Sequence, residues 1–235
     1  VTHSVIRRLV PVAAASLVLL SACSGSDSDG SDGGDAADPT SSATPSATAS
    51  PTPPPVDADQ VACKLLTGSD RTELAGSSVD DIVAASGADG SSQCRWQAAS
   101  ALIQVTTLPA KEWAKSLPQV VEQLASSSDV DSATDKKDLA AAKKLLAGAA
   151  SFDDQQACDA FTTLAELGGA KKGTTTTVTS IPITETESGI SGQTCVDGDL
   201  TSVLYSVPGL KQTDAVDATV TTILERAQKR LAAAQ

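Results

Sequence analysis

Five cysteines are the residues of this chain best suited to chemistry, and their surroundings divide them into two kinds. Cys23 closes the run Leu20-Ser21-Ala22-Cys23, an aliphatic residue and two small ones ahead of a thiol. This is the bacterial lipobox pattern: small residues let the backbone enter a peptidase site, the thiol takes a diacylglycerol, and the freed amine can take a third acyl chain. Each buried methylene contributes about 0.8 kcal/mol, so two or more chains make a stable anchor where one is marginal. Cys63, Cys94, Cys158 and Cys195 lie far apart and lack the C-x2-C spacing of a zinc site. In an exported chain such an even set reads as two disulfides, with three pairings open.

Other chemistry finds few residues to carry it. His3 is the only histidine and belongs to the N-terminal segment, which removes Ser-His-Asp and Cys-His nucleophiles and His-rich metal sites. No S-x-x-K, nucleophile elbow, P-loop or dinucleotide fingerprint occurs, and no catalytic, cofactor or metal residues are expected. Carboxylate pairs stand at Asp80-Asp81, at Asp153-Asp154 and at Asp197-Gly198-Asp199. Each of the first two reads as a solvated loop or a helix start, with acid/base work as the functional alternative. The third reads as a turn entering a strand, with a calcium contact as the functional alternative. Trp96 beside Arg95 is either a sugar or peptide platform or a ring packed over the adjacent disulfide, and Trp113 falls on a helical apolar stripe.

These residues need elements to position them. Arg7-Arg8 followed by an apolar run of roughly 12 residues has the layout of a secretory signal, too short for the roughly 20 residues that span a bilayer. A twin-arginine export signal would need flanking residues that are absent. The signal peptide is therefore read as residues 1–22. Residues 23–55 are the lipidated Cys23 and a tether, acidic and Gly/Ser-rich at first, then Pro/Thr-rich and stiffer. Its coil dimension is roughly 30 Å and its full reach about 110 Å. The extracytoplasmic domain is read as 56–235. The chain has a net charge of -12, which argues against nucleic acid and against general attraction to anionic lipid. With two Trp, two Phe and one Tyr, its core must be aliphatic, and disulfides would help to hold it.

An internal similarity bears on the pairing. Residues 63–76 resemble 158–169, and 94–106 lie over 195–207, where each cysteine precedes an alternating apolar run. Helical stripes follow in both halves: Trp113, Leu117, Val120, Val121 and Leu124, with a turn or kink expected at Pro118, and then Val216, Val220, Ile223, Leu224, Ala227 and Leu231. Each half reads as cysteine, short helix, loop, cysteine, strand, helix. The simplest pairing is within halves, Cys63–Cys94 and Cys158–Cys195. An extra helix is expected over 135–148, capped by Thr134 or Asp135 and ended by Gly148, and one or two strands over 173–184, with Pro182 at an edge or a strand end. The fold class expected is α+β: a disulfide-stapled antiparallel sheet with flanking helices, in two pseudo-repeated halves at about 57–128 and 152–235.

Cys63-x-Leu65-Leu66-Thr67, Leu74-x-Gly76 and Cys94-Arg95-Trp96, set after a Pro/Thr tether, resemble an actinobacterial secreted lipoprotein family without an assigned activity. The resemblance covers about 57–125; the second half departs from it, with Cys195-Val196-Asp197 in place of Cys-Arg-Trp. It implies an envelope location and carries over no catalytic residue.

The reading that follows is a lipid-anchored protein on the extracytoplasmic face of the cell membrane. It would bind or sense a lipid, cell-wall fragment, peptide or partner protein in a groove between the two halves, and would not be an enzyme. The first alternative is an accessory lipoprotein docking on a membrane complex; the second is a carboxylate-only hydrolase.

Overall fold

The computed structural model describes residues 57–88, 90–126, 130, 132–184 and 187–235. Cys23, the signal segment and the tether lie outside the described residues. The elements, in chain order, are α1 (Val61–Leu65), α2 (Gly68–Ala75), β1 (Ile82–Ala88), β2 (Ser91–Ala98), β3 (Ala101–Pro109) and α3 (Ala110–Ala125). Then come α4 (Ala133–Leu145), a 3-10 segment (Leu146–Ser151), α5 (Asp154–Leu167), β4 (Thr176–Pro182), β5 (Ser188–Val196), β6 (Asp199–Ser206) and α6 (Asp214–Ala234). The class is α+β: six antiparallel strands form one sheet in the order β1-β2-β3-β6-β5-β4, with helices on both faces.

Register decides which side chains meet which helices. Side chains alternate between faces along a strand, and directly opposed residues share a face. Cys94, Val105, Val203 and Gly192 form one row, and Trp96, Ile103, Tyr205 and Ile190 form the next on the same face. This face packs α1, α2 and α6. Leu108, Leu200 and Cys195 lie in a row on the other face, which packs α3, α4 and α5. Contact is closest at Gly192, where a Cβ would stand 2.3 Å from Val220 Cγ1 and 2.9 Å from Leu224 Cδ1. A side chain there would lift α6 from the sheet.

The disulfides are Cys63–Cys94, with an S–S distance of 2.13 Å, and Cys158–Cys195, at 2.04 Å. Each ties a helix to the middle strand of a three-stranded meander. The order of elements thus repeats, but the arrangement does not. The first bridge lies on one face of the sheet and the second on the other, so no rotation superposes the halves. The overlay of residues 94–106 on 195–207 also fails in detail. Cys94 stands opposite Val105, across a hairpin that turns after Ala98, whereas Cys195 stands opposite Leu200, beside a turn just after Val196. Along the sheet the halves are joined by a continuous ladder, with β3 and β6 paired from Leu102–Ser206 to Pro109–Asp199, where a groove between them was expected.

Several local expectations meet the structure directly. Pro118 does not turn the chain: α3 runs through it, and burial of Trp113, Ala114, Leu117 and Val121 outweighs the missing backbone hydrogen bond. The extra helix is capped by Ser132, whose hydroxyl accepts from the Asp135 N–H, not by Thr134 or Asp135. It gives way to the 3-10 segment before Gly148. β4 is an edge strand ending at Pro182. The loop expected between Cys63 and Cys94 instead contains β1 and the first part of β2.

Candidate functional site

The expected carboxylate pairs are engaged in structure. Asp80 accepts from the Ser78 hydroxyl and from Arg71 Nη2 at 2.7 Å. The Ser78 bond first, and Arg71 after it, hold its carboxyl below the ordinary value. The Asp81 carbonyl accepts from the Gln97 N–H at 3.0 Å. Asp153 caps α5 in a reciprocal box with Gln156. Asp154 accepts from the Lys111 backbone N–H at 3.1 Å and from Lys111 Nζ at 3.3 Å, joining the starts of α5 and α3. Asp197 and Gly198 occupy a two-residue hairpin turn with φ of 53° and 86°, the doubly left-handed geometry of a tight hairpin. Among the described residues, no group of three or more His, Cys, Asp or Glu is placed to hold a metal ion.

Trp96 is no platform. It is 1% exposed, packed in the cluster that contains Cys94, with the Arg71 guanidinium 4.9 Å from its ring centroid. Arg95 points to the opposite face and donates to Gln104 Oε1 at 2.7 and 3.0 Å. Trp113 is core, tilted against Phe161 at 5.6 Å.

A buried carboxylate that the sequence reading passed over sits at Asp70, 2% exposed. It is the N3 residue of α2 and forms a capping box with Thr67. Arg226 reaches it at 3.1 Å and Arg230 at 2.7 Å, both from α6. Burial alone would raise this carboxyl. Hydrogen bonds from the Thr67 backbone and hydroxyl, then from Arg226 and Arg230, outweigh burial and hold it below its ordinary value. Arg226 also pairs with Glu73 at 2.7 Å, and Arg230 donates to the Leu65 carbonyl at 2.6 Å. These donors are committed to joining α2 and α1 to α6, which makes the cluster a structural node.

The open site lies at the end of β4 and β5, against the C-terminal half of α6. It is a cleft of about 330 Å³ whose lining includes Thr175, Thr176, Thr194, Asp197, Glu225 and Lys229. Its wall is rigid. Thr176 Oγ1 donates to Thr194 Oγ1 at 3.0 Å, and Thr194 Oγ1 donates to the Thr175 carbonyl at 3.1 Å. Gln235 Nε2 donates to Asp199 Oδ2 at 2.6 Å, and Gln228 Nε2 to the Asp199 carbonyl at 3.3 Å, fastening α6 to the hairpin. Behind the cleft, Ser92, Thr107, Thr201, Thr194 and Thr176 stand opposite one another across five strands. Thr201, at the centre of this hydroxyl row, is wholly buried, and its Oγ1 has no partner.

This wall offers hydroxyls, carboxylates and an ammonium group at short range, a set that hydrogen-bonds a hydroxylated or amine-bearing molecule. The four cysteines of the described region are all bridged, so none supplies a thiolate. Of the expected site residues, the structure brings Asp197 and Asp199 to this cleft. Its threonines went unnoticed because T-T-T-T at 174–177 reads first as strand. Comparison with protein families, with characterised proteins and with solved structures returns no match.

Proposed function

We propose that this chain is a non-enzymatic binding module of the cell envelope, held through acylated Cys23 on the extracytoplasmic face of the membrane. Its ligand site is the threonine-lined cleft beside α6. The lipobox and tether support the location, and two disulfides suit an oxidising compartment. No described helix is long and apolar enough to cross a membrane, so attachment would rest on the lipid. The resemblance to actinobacterial secreted lipoproteins belongs to the same reading.

The observation that carries the ligand assignment is the cleft itself: about 330 Å³, hydroxyl-walled, with Asp197, Glu225 and Lys229 outside any ion pair among the described residues. Of the ligand classes expected for such a protein, this lining favours a cell-wall fragment bearing hydroxyl and amine groups over a lipid tail. Titrating the full chain with a soluble disaccharide-peptide tests it. Saturable amide shifts should centre on Thr194, Asp197 and Lys229, and Asp197→Ala or Lys229→Ala should weaken binding by about tenfold, the scale of one charge-assisted hydrogen bond. No saturable binding, or shifts confined to another surface, would end the assignment.

A further inference from the structure

The chain is strongly acidic, yet α4 carries Lys136, Lys137, Lys143 and Lys144 within 13 residues. All four are exposed, and none is in an ion pair among the described residues. The acidic residue in the helix's first turn, Asp135, is held at the N-cap by Ser132. Lys136 and Lys143 are seven residues apart, which puts them on one side of the helix about 10 Å apart along its axis. Between them α4 borders a groove of about 250 Å³ with Ala125, Val130, Leu139 and Ala140 as its apolar lining.

An apolar floor with two unpaired ammonium groups at its rim matches an amphiphile with an acidic head. Volume argues for part of a molecule, since pockets that take whole drug-sized ligands are about 300–1,000 Å³. We infer that this groove takes an acyl chain of an anionic membrane phospholipid, with the headgroup phosphate held by Lys136 and Lys143. The inference rests on the reading of the chain as membrane-anchored for the source of the lipid, though not for the chemistry of the groove. It also orients the domain. α4 packs among the helices on one sheet face, whereas the cleft lies under α6 on the other, so a bilayer beneath α4 leaves the cleft directed outward.

Two arms test it. The full chain in solution is titrated with short-chain phosphatidylglycerol or phosphatidylcholine below their micelle concentrations, and amide shifts are mapped. The chain is then mixed with vesicles containing a third phosphatidylglycerol and a photo-activatable acyl probe. Shifts and adducts should fall on Val130, Leu139 and Ala140. Phosphatidylcholine, whose choline cation offsets its phosphate charge, should bind more weakly than phosphatidylglycerol, and the double variant Lys136→Glu/Lys143→Glu should reduce affinity about thirtyfold, as expected for losing two lysine–anion contacts near a surface. Equal response to the two lipids, adducts only elsewhere, or a folded double variant that binds as well as the parent would overturn the inference. Binding to the soluble lipid without vesicle contact would show that the groove is right and the bilayer is not its source. Finding Cys23 without an acyl group in the intact mass of the native protein would instead remove the anchor from the proposed function and leave the groove binding to stand.

Discussion

The two halves of the domain use the same order of elements and place them differently. In each, a disulfide ties the first helical segment to the central strand of a meander, over separations of 31 and 37 residues. The first half puts that helix on the face shared with α6, and the second puts it on the face shared with α3. Each half's last helix therefore completes the other half's core: α6 packs on α1 and α2, and α3 packs on α5. Neither half owns a core, and the pair should fold as one unit.

The largest test of that conclusion removes the bridges one at a time. Closing loops of 31 and 37 residues contributes about 4 kcal/mol each in the chain-entropy account. Cys63→Ser/Cys94→Ser and Cys158→Ser/Cys195→Ser should lose that amount in nearly equal measure. Trp96 lies in one cluster and Trp113 in the other, so single-tryptophan versions report the two cores separately. Both probes should follow one denaturant transition in both variants. Two transitions, with only the unbridged half shifted, would show independent halves.

A smaller effect sharpens the difference between the capping boxes. In α2 the N3 residue is buried Asp70, gripped by Arg226 and Arg230; in α5 it is exposed Gln156. Asp70→Asn should cost about 2 kcal/mol, less than a fully buried pair because both arginines are partly exposed. Gln156→Ala should cost about 0.5 kcal/mol. The pH dependence has a definite sign. A carboxyl held below its ordinary value contributes stability that is complete above the unfolded-state pKa and is lost as pH falls through the lower folded value. The gap between parent and Asp70→Asn should thus be widest near neutrality and close in acid. A constant gap across that range would mean the charge of Asp70 is not what holds α2 to α6.

What was legible in the sequence follows the range of the physics behind it. The alternating run at 203–207, the stripe on α6, the Asp197-Gly198 turn and the Pro182 edge depend on neighbours in the chain, and each is where it was expected. β1, β2 and β5 were missed because I-V-A-A-S-G-A, S-S-Q-C-R-W-Q-A and S-G-I-S-G-Q-T-C-V are rich in small or polar residues of low strand preference, and adjacent strands supply what their own side chains do not. Gly192 looks like a breaker in sequence and is required by α6 lying across it. The cleft was illegible for the same reason. Thr176 meets Thr194 only through β4–β5 pairing, and Lys229 arrives on a helix that the other half helps to position.

The two edges of the sheet extend the contrast between the halves to its smallest expected effect. On β4, the outer edge of the second half, Gln212 stands in for a neighbouring strand. Its Oε1 accepts from the Ser180 N–H at 3.1 Å and its Nε2 donates to the Val178 carbonyl at 3.0 Å, while Asp217 steadies the same Nε2. A single side-chain amide thus mimics one peptide unit and blocks the edge to further pairing. On β1, the outer edge of the first half, side-chain bonds to the backbone among the described residues come from Ser91 at the hairpin end, and a register shift between Ile82 and Ala84 disrupts the strand instead. Gln212→Ala should cost about 1 kcal/mol or less, since both bonds are exposed to water. Its specific signature is faster hydrogen exchange at Ser180 with β1 unchanged, accompanied by concentration-dependent association through the uncovered edge. If Ser180 exchanges at the parental rate, the amide plug is not what closes that edge.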